Sequence, residues 1–181
     1  MWQTMQDSIV IQPRRLNSTP THVEVYLEKQ VLVVFKNNVV EFISHISSGK
    51  LTAAGVPDTF CEEVTIDTDD QGVALPEPVK KGICAESKTP GGVFKFTRRY
   101  EGKRVGPLGG MDDPVYFNYG IAIHGAENVP LEPVSHGCIR IPKFLSKAFP
   151  ALVKNGDQVW VWDGNKEPEQ QSKSDMLPSF N

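Results

Sequence analysis

Val31-Leu32-Val33-Val34-Phe35-Lys36-Asn37-Asn38-Val39-Val40-Glu41-Phe42-Ile43 decides the fold class. Two β-branched runs flank Lys36-Asn37-Asn38, and asparagine tolerates the positive φ that a tight hairpin turn demands. The stretch predicts two antiparallel strands. Just upstream, Val23, Val25 and Leu27 alternate with His22, Glu24 and Tyr26, the period of a half-buried strand. Downstream, residues 44–92 are rich in Gly, Pro, Asp and Ser and read as a long connection, either functional or poorly ordered, with one strand candidate at 64–67. Residues 93–97 alternate again, 98–104 form a basic cluster around a turn, and Gly106-Pro107-Leu108-Gly109-Gly110 reads as loop. Residues 116–124 read as one strand, and 142–154 as a helix that Pro150 kinks or ends early. Val159-Trp160-Val161-Trp162 reads as a closing strand whose tryptophans pack at the sheet end. The expected fold is mainly β, a sandwich or barrel-like arrangement with one short helix near the C-terminus. Around it stand a polar arm at 1–20 and a polar tail at 163–181, the latter expected to be disordered.

A chain of 181 residues with 39% hydrophobic content suits one domain with tails. A net charge of −3 gives no electrostatic reason to expect nucleic acid. No apolar run approaches the ~20 residues that cross a bilayer, and the opening residues lack the basic stretch and apolar core of a secretory signal. The three cysteines are Cys61, Cys84 and Cys138. We expect Cys61 and Cys84 to pair across their polar segment and leave Cys138 free; two unrelated thiols are the alternative. A disulfide would favour an oxidising compartment.

Ser135-His136-Gly137-Cys138-Ile139-Arg140 carries the chemistry, with His124 fourteen positions before Cys138. A thiol with imidazoles in reach suits nucleophilic acyl transfer. On the 116–124 strand, Phe117, Tyr119, Ile121 and Ile123 form a core face. Asn118, Gly120, Ala122 and His124 clear a cleft on the other face. Gly137 lets the backbone turn so that the amides of Gly137 and Cys138 face a developing oxyanion. A buried structural cysteine and a metal site using His124, His136 and Cys138 are the competing readings, although that spacing is not an ordinary ligand pair. His22 and His45 read as incidental surface histidines, and Ser135 as a supporting hydrogen-bonder rather than a nucleophile.

The strand ending in His124-Gly125, the loop, and Ser135–Arg140 resemble the L,D-transpeptidase (YkuD-type) catalytic domain of bacterial cell-wall enzymes. The resemblance covers roughly residues 21–162, including the opening hairpin and Thr89-Pro90-Gly91-Gly92. It implies Cys138 as nucleophile, His124 as general base oriented by the Gly125 carbonyl, and an oxyanion site at His136, Gly137 and Cys138. Ser135, Arg140 and a tyrosine, Tyr116 or Tyr119, would line the substrate groove. Many members carry Asn where this chain has Arg140. The implied reaction needs no cofactor. The thiolate attacks the amide before the terminal D-alanine of a peptidoglycan stem tetrapeptide, and an amine of a neighbouring stem resolves the acyl-enzyme into a 3→3 cross-link. Water as acceptor would make an L,D-carboxypeptidase, and a non-catalytic wall-binding module is the reading from another class. Carbapenem-type β-lactams are the implied acylating inhibitors, and the implied location is extracytoplasmic. The basic cluster Lys95, Arg98, Arg99, Lys103 and Arg104 reads as a solvated hairpin, with attraction for an anionic wall polymer as the second reading.

Overall fold

The computed structural model describes residues 12–16, 20–69, 73–106 and 108–178. The opening hairpin forms as its sequence dictates. Strand β1 (Thr21–Tyr26) pairs antiparallel with β2 (Val31–Lys36), and β2 with β3 (Val39–His45). Asn37 and Asn38 turn the chain with φ of 50° and 63°, the left-handed pair that matches strand twist. The closing strand β12 (Gln158–Trp162) lies parallel to β1 and antiparallel to β6 (Gly92–Lys95), so the first sheet runs β3-β2-β1-β12-β6. The first and last strands thereby lie side by side in the sheet.

The second sheet combines β7 (Arg98–Arg99), β8 (Lys103–Gly106), β9 (Gly109–Asn118), β10 (Ile121–Ala126) and β11 (Ile139–Pro142). Its order is β11-β10-β9-β7, with β8 also on β9. Val23, Val25, Leu32, Val34, Val159 and Val161 from the first sheet meet Val115, Phe117, Ile121, Ile123, Ile139 and Ile141 from the second in one core. Among the described residues the architecture is mainly β, with two packed sheets and no closed barrel. Phe149, wholly buried, plugs the space between Phe42 and Phe96 from the short helix α1 (Ala148–Leu152).

Five expectations change. The 142–154 helix is a 3₁₀ turn at Lys143–Leu145 followed by the five-residue α1, in which Pro150 occupies the first turn, where its missing N–H is not needed. Gly106, Gly109 and Gly110 belong to the β8–β9 hairpin rather than to a loop, while Pro107 lies outside the described residues. The middle of the connection expected at 44–92 is an antiparallel ribbon of β4 (Thr59–Thr68) and β5 (Ala74–Glu86). Pro76, Pro78 and Gly82 disguised β5; in a two-stranded ribbon each strand has a free edge where a missing N–H is tolerated. Cys61 and Cys84 are joined across the ribbon, leaving Cys138 as the free thiol.

The fourth change is at the tail. Residues 163–178 fold back, with a 3₁₀ turn at Pro168–Gln170 and Met176 packed against the core. Asn118 Nδ2 donates to the Met176 carbonyl at 2.8 Å. Isolated apolar anchors such as Pro168 and Met176 in a polar stretch escape a reading by composition. Residues 179–181 lie outside the described residues, as do 1–11 and 17–19 of the arm.

The fifth is His22. It is not a surface histidine: His22 and Glu24 are both fully buried on the sheet's outer face, under residues 12–16 of the arm. The Glu24 carboxylate accepts the backbone N–H of Arg14 at 3.0 Å and of Arg15 at 2.8 Å, together with His22 Nε2 at 3.1 Å and the Tyr26 hydroxyl. Burial alone would raise this carboxyl, but these hydrogen bonds outweigh it and hold it below its ordinary range. Arg14 stacks over Trp162 and is paired with Glu167. Arg15 stacks over Trp160 and Trp162 and is paired with both Glu167 and Glu169.

Candidate active site

The segment 116–124 is a hairpin rather than one strand. Strand β9 ends at Asn118, β10 begins at Ile121, and Tyr119-Gly120 is the turn, with Tyr119 at φ 50° and 68% exposed. Apolar alternation runs straight through the turn and hides it. Phe117, Ile121 and Ile123 still enter the core, whereas Tyr119 does not. On the opposite face, register places Tyr116 beside Ala122, and His124 beside Arg140 of β11.

Cys138 ends the loop that leads into β11. Ser135 Oγ donates to the Cys138 carbonyl at 2.5 Å and accepts the Gly137 N–H at 3.1 Å. Thr89 Oγ1 accepts the Gly49 N–H at 2.8 Å and donates to the Gly137 carbonyl at 2.7 Å. These bonds fix Gly137 at φ 130°, where a Cβ would stand 2.9 Å from the Lys88 carbonyl oxygen. Only glycine accepts both constraints. The Gly137 N–H is therefore spent on Ser135, and the expectation that it faces an oxyanion is not met. Gly137 contributes its backbone conformation instead.

The Cys138 sulfur sits half-buried, 3.7 Å from the Gly120 carbonyl. Burial pushes its thiol up, against a smaller opposing pull from a hydrogen bond of the Ala122 backbone and from the Arg140 charge. His124 is 5% exposed, and burial pushes its imidazole down. The Gly125 hydrogen bond works against that shift, Arg140 adds to it, and Asp112 opposes it. Both shifts favour the uncharged forms. His124 Nδ1 lies 2.9 Å from the Gly125 carbonyl oxygen. A carbonyl can only accept, so Nδ1 carries the proton and Nε2 keeps its lone pair. Gly125 is packed so tightly that a Cβ would stand 2.4 Å from Ser146 Cβ. In this geometry the thiol faces the Gly120 carbonyl.

His136 is engaged by the β4–β5 ribbon. Its Nε2 pairs with Glu62 at 2.9 Å and its ring lies 4.3 Å from Phe60, both on β4. The ribbon thus reaches the loop beside Cys138, next to its own disulfide. Arg140 extends towards the Asn128 carbonyl at 3.5 Å. Tyr116 is buried and Tyr119 lies at the rim. Phe60 and Glu62 are contacts that sequence reasoning missed, and no local pattern announces them. Thr89 stood in the Thr-Pro-Gly-Gly stretch, which was the available signal.

Comparison with known proteins adds to this geometry. The YkuD family model, described as the L,D-transpeptidase catalytic domain, matches residues 20–161. A solved L,D-transpeptidase from Xylanimonas cellulosilytica (residues 123–326) is similar at 25% identity and TM-score 0.61, over 83% of this chain and 63% of that one. One from Stackebrandtia nassauensis is similar in fold at 18% identity and TM-score 0.55, over 89% and 63%. The avibactam carbamoyl enzyme of Ldtfm is similar in fold at 23% identity and TM-score 0.52, over 80% and 49%. The chain spans less than two thirds of each of these structures. None of the curated proteins compared with the chain matches it.

Proposed function

Because the chain belongs to the L,D-transpeptidase catalytic-domain family, we propose that Cys138 is an acyl-transfer nucleophile acting on peptidoglycan stem peptides, with residues 21–162 as the catalytic domain. The observation that carries this reading is the 2.9 Å contact of His124 Nδ1 with the Gly125 carbonyl, which keeps the proton on Nδ1 and leaves Nε2 to accept one, on the strand beside the free thiol. Nε2 takes the thiol proton as sulfur attacks the carbonyl carbon of the amide joining stem residue three to the terminal D-alanine. The oxyanion is met by the amides of His136 and Cys138, since the Gly137 amide is engaged. The C–N bond breaks, the imidazolium returns the proton to the leaving D-alanine amine, and a thioester remains. An amine of a neighbouring stem then attacks the thioester carbonyl and loses a proton to Nε2; the C–S bond breaks, the cross-link amide forms between the two third residues (3→3), and the imidazolium returns the proton to the departing Cys138 thiolate. Arg140 and Ser135 hold the loop and groove, and no cofactor enters. On this reading the chain acts outside the cytoplasm, where the polymer lies, and the disulfide suits an oxidising compartment.

The test is intact-mass detection of a carbapenem adduct. Wild type acquires it and Cys138→Ala does not; equal behaviour of the two refutes the nucleophile and favours a wall-binding module. Incubation with a disaccharide tetrapeptide yields cross-linked dimer for a transferase, and only tripeptide for an L,D-carboxypeptidase.

A further inference from the structure

Tyr116 carries two guanidiniums. Arg98 Cζ lies 3.7 Å from the ring centroid and Arg104 Cζ 5.4 Å from it, with Arg104 Nη1 donating to the Tyr116 hydroxyl at 2.8 Å. Arg98 Nη2 donates to the Tyr119 carbonyl at 3.1 Å. The next residue is Gly120, whose carbonyl lies 3.7 Å from the Cys138 sulfur. In register, Arg98 pairs with Tyr116 and Tyr116 with Ala122, whose backbone reaches the Cys138 thiol. Arg98, Tyr116 and the thiol therefore lie along one row of the sheet. Arg98 also borders an open depression with Thr97, Phe117, Asn118 and Tyr119.

The arm supplies an internal contrast. Arg14 and Arg15 also stack on aromatic rings, and each is neutralised by a glutamate from this chain. Among the described residues, Arg98 and Arg104 have no carboxylate partner. A guanidinium offers five N–H donors in a planar fork matched to a carboxylate, and one hydrogen bond is used on each here. Stacking on a buried ring fixes the two forks in advance, which lowers the entropic cost of seating a ligand.

We propose that Arg98 and Arg104, mounted on Tyr116, form a carboxylate-binding subsite beside Cys138. The inference rests on the transpeptidase reading, under which the ligand is the terminal carboxylate of the donor stem, one residue beyond the amide that breaks. A carboxylate of the acceptor stem is the other source of the same chemistry.

The experiment compares wild type, Arg98→Gln, Arg104→Gln and the conservative Arg98→Lys, each checked for an unchanged melting curve. Substrates are a tetrapeptide donor with a free C-terminal carboxylate, the same donor with a C-terminal amide, and acceptors with free or amidated carboxylate. Wild type favours the free-carboxylate donor. Arg98→Gln lowers kcat/KM for that donor about tenfold or more, as loss of a charge-assisted hydrogen bond would, and leaves the amide donor unchanged. Arg98→Lys retains part of the preference. An equal loss on both donors means that the arginine only supports Tyr116, and overturns the subsite. A loss that tracks amidation of the acceptor overturns the donor assignment. If no peptide is turned over, the transpeptidase reading fails, yet the subsite is still measurable. The rate ratio of iodoacetate to iodoacetamide at Cys138 falls about two- to fourfold in Arg98→Gln, the order expected from Coulomb's law for losing one positive charge across a watery cleft. An unchanged ratio overturns the proposal on its own.

Discussion

Replacing both Cys61 and Cys84 by serine should loosen the β4–β5 ribbon without unfolding the domain. The bridge closes a sequence separation of 23, for which loop-closure entropy gives a stabilisation of ~3.4 kcal/mol. Little else holds the ribbon. Val64 and Ala85 are its fully buried apolar residues, and an isolated two-stranded ribbon is marginal in water. The half-exposed Glu62–His136 pair contributes ~0–1 kcal/mol and the Phe60–His136 ring contact ~0.5–1.5 kcal/mol. The covalent link therefore dominates the ribbon's local stability. Hydrogen exchange followed by mass spectrometry is the assay. Ribbon amides should exchange roughly 300-fold faster in the double serine variant, the population change that ~3.4 kcal/mol implies. Amides of β1, β10 and β12 should keep their protection. Equal acceleration of ribbon and core would refute the reasoning, because the ribbon would then be part of the global folding unit. An unchanged ribbon would refute it too, since other contacts would be carrying the load.

The thiol–imidazole pair should rest uncharged. Burial raises Cys138 and lowers His124, so the iodoacetamide rate at Cys138 should keep climbing past pH ~8.5, the ordinary thiol value; a plateau established below neutrality would instead reveal a thiolate–imidazolium pair. Gly137→Ala places a Cβ against the Lys88 carbonyl at φ 130°, a strain of ~1–3 kcal/mol in the loop that carries Cys138. Carbapenem acylation should slow at least ~10-fold with a small change in melting temperature, and near-normal acylation would show that the loop tolerates another conformation. Glu24 has a carboxyl held below its ordinary range, so its contribution is present above the unfolded value of ~4.3 and lost as pH falls through the folded value. Wild-type stability should therefore drop more steeply below pH ~4.3 than that of Glu24→Gln, as read by urea titration at several pH values; parallel curves would remove Glu24 from the acid response.

Legibility in the sequence followed the range of the interactions. The first hairpin was readable because both its signals, β-branched runs and Asn37-Asn38, lie within a dozen residues and act locally. The closing strand was readable as a strand, but its parallel place against β1 is a matter of topology. At 116–124 the local signal misled: alternation persists through Tyr119-Gly120, and a two-residue turn leaves no gap in the period. The order of the site still came through, because Ala122 and His124 keep the face opposite to Ile121 and Ile123 whether or not the turn is recognised. His22 and Glu24 were misplaced for the opposite reason. Alternation correctly put them off the core, but a polar arm with no period of its own covers them.

What stayed hidden at the site is the set of groups that hold it from elsewhere. Thr89 reaches Gly137 across 48 positions, and Gly49 reaches Thr89 across 40. Glu62 and Phe60 arrive from a ribbon whose prolines had made one strand look like loop. Each is a polar or aromatic residue with no periodic neighbour, so nothing local separates it from solvent-facing residues of the same type. The Ser135–Arg140 motif escapes this limit because it compresses thiol, turn and hydrogen-bonder into six residues, while the His124 imidazole and the Thr89 hydroxyl come from elsewhere in the chain. That asymmetry also explains Gly137. Proximity in sequence made its amide the obvious oxyanion donor, yet the Ser135 hydroxyl is closer still and takes it. Within so short a loop, hydrogen bonds that fix the backbone compete directly with those left for a substrate.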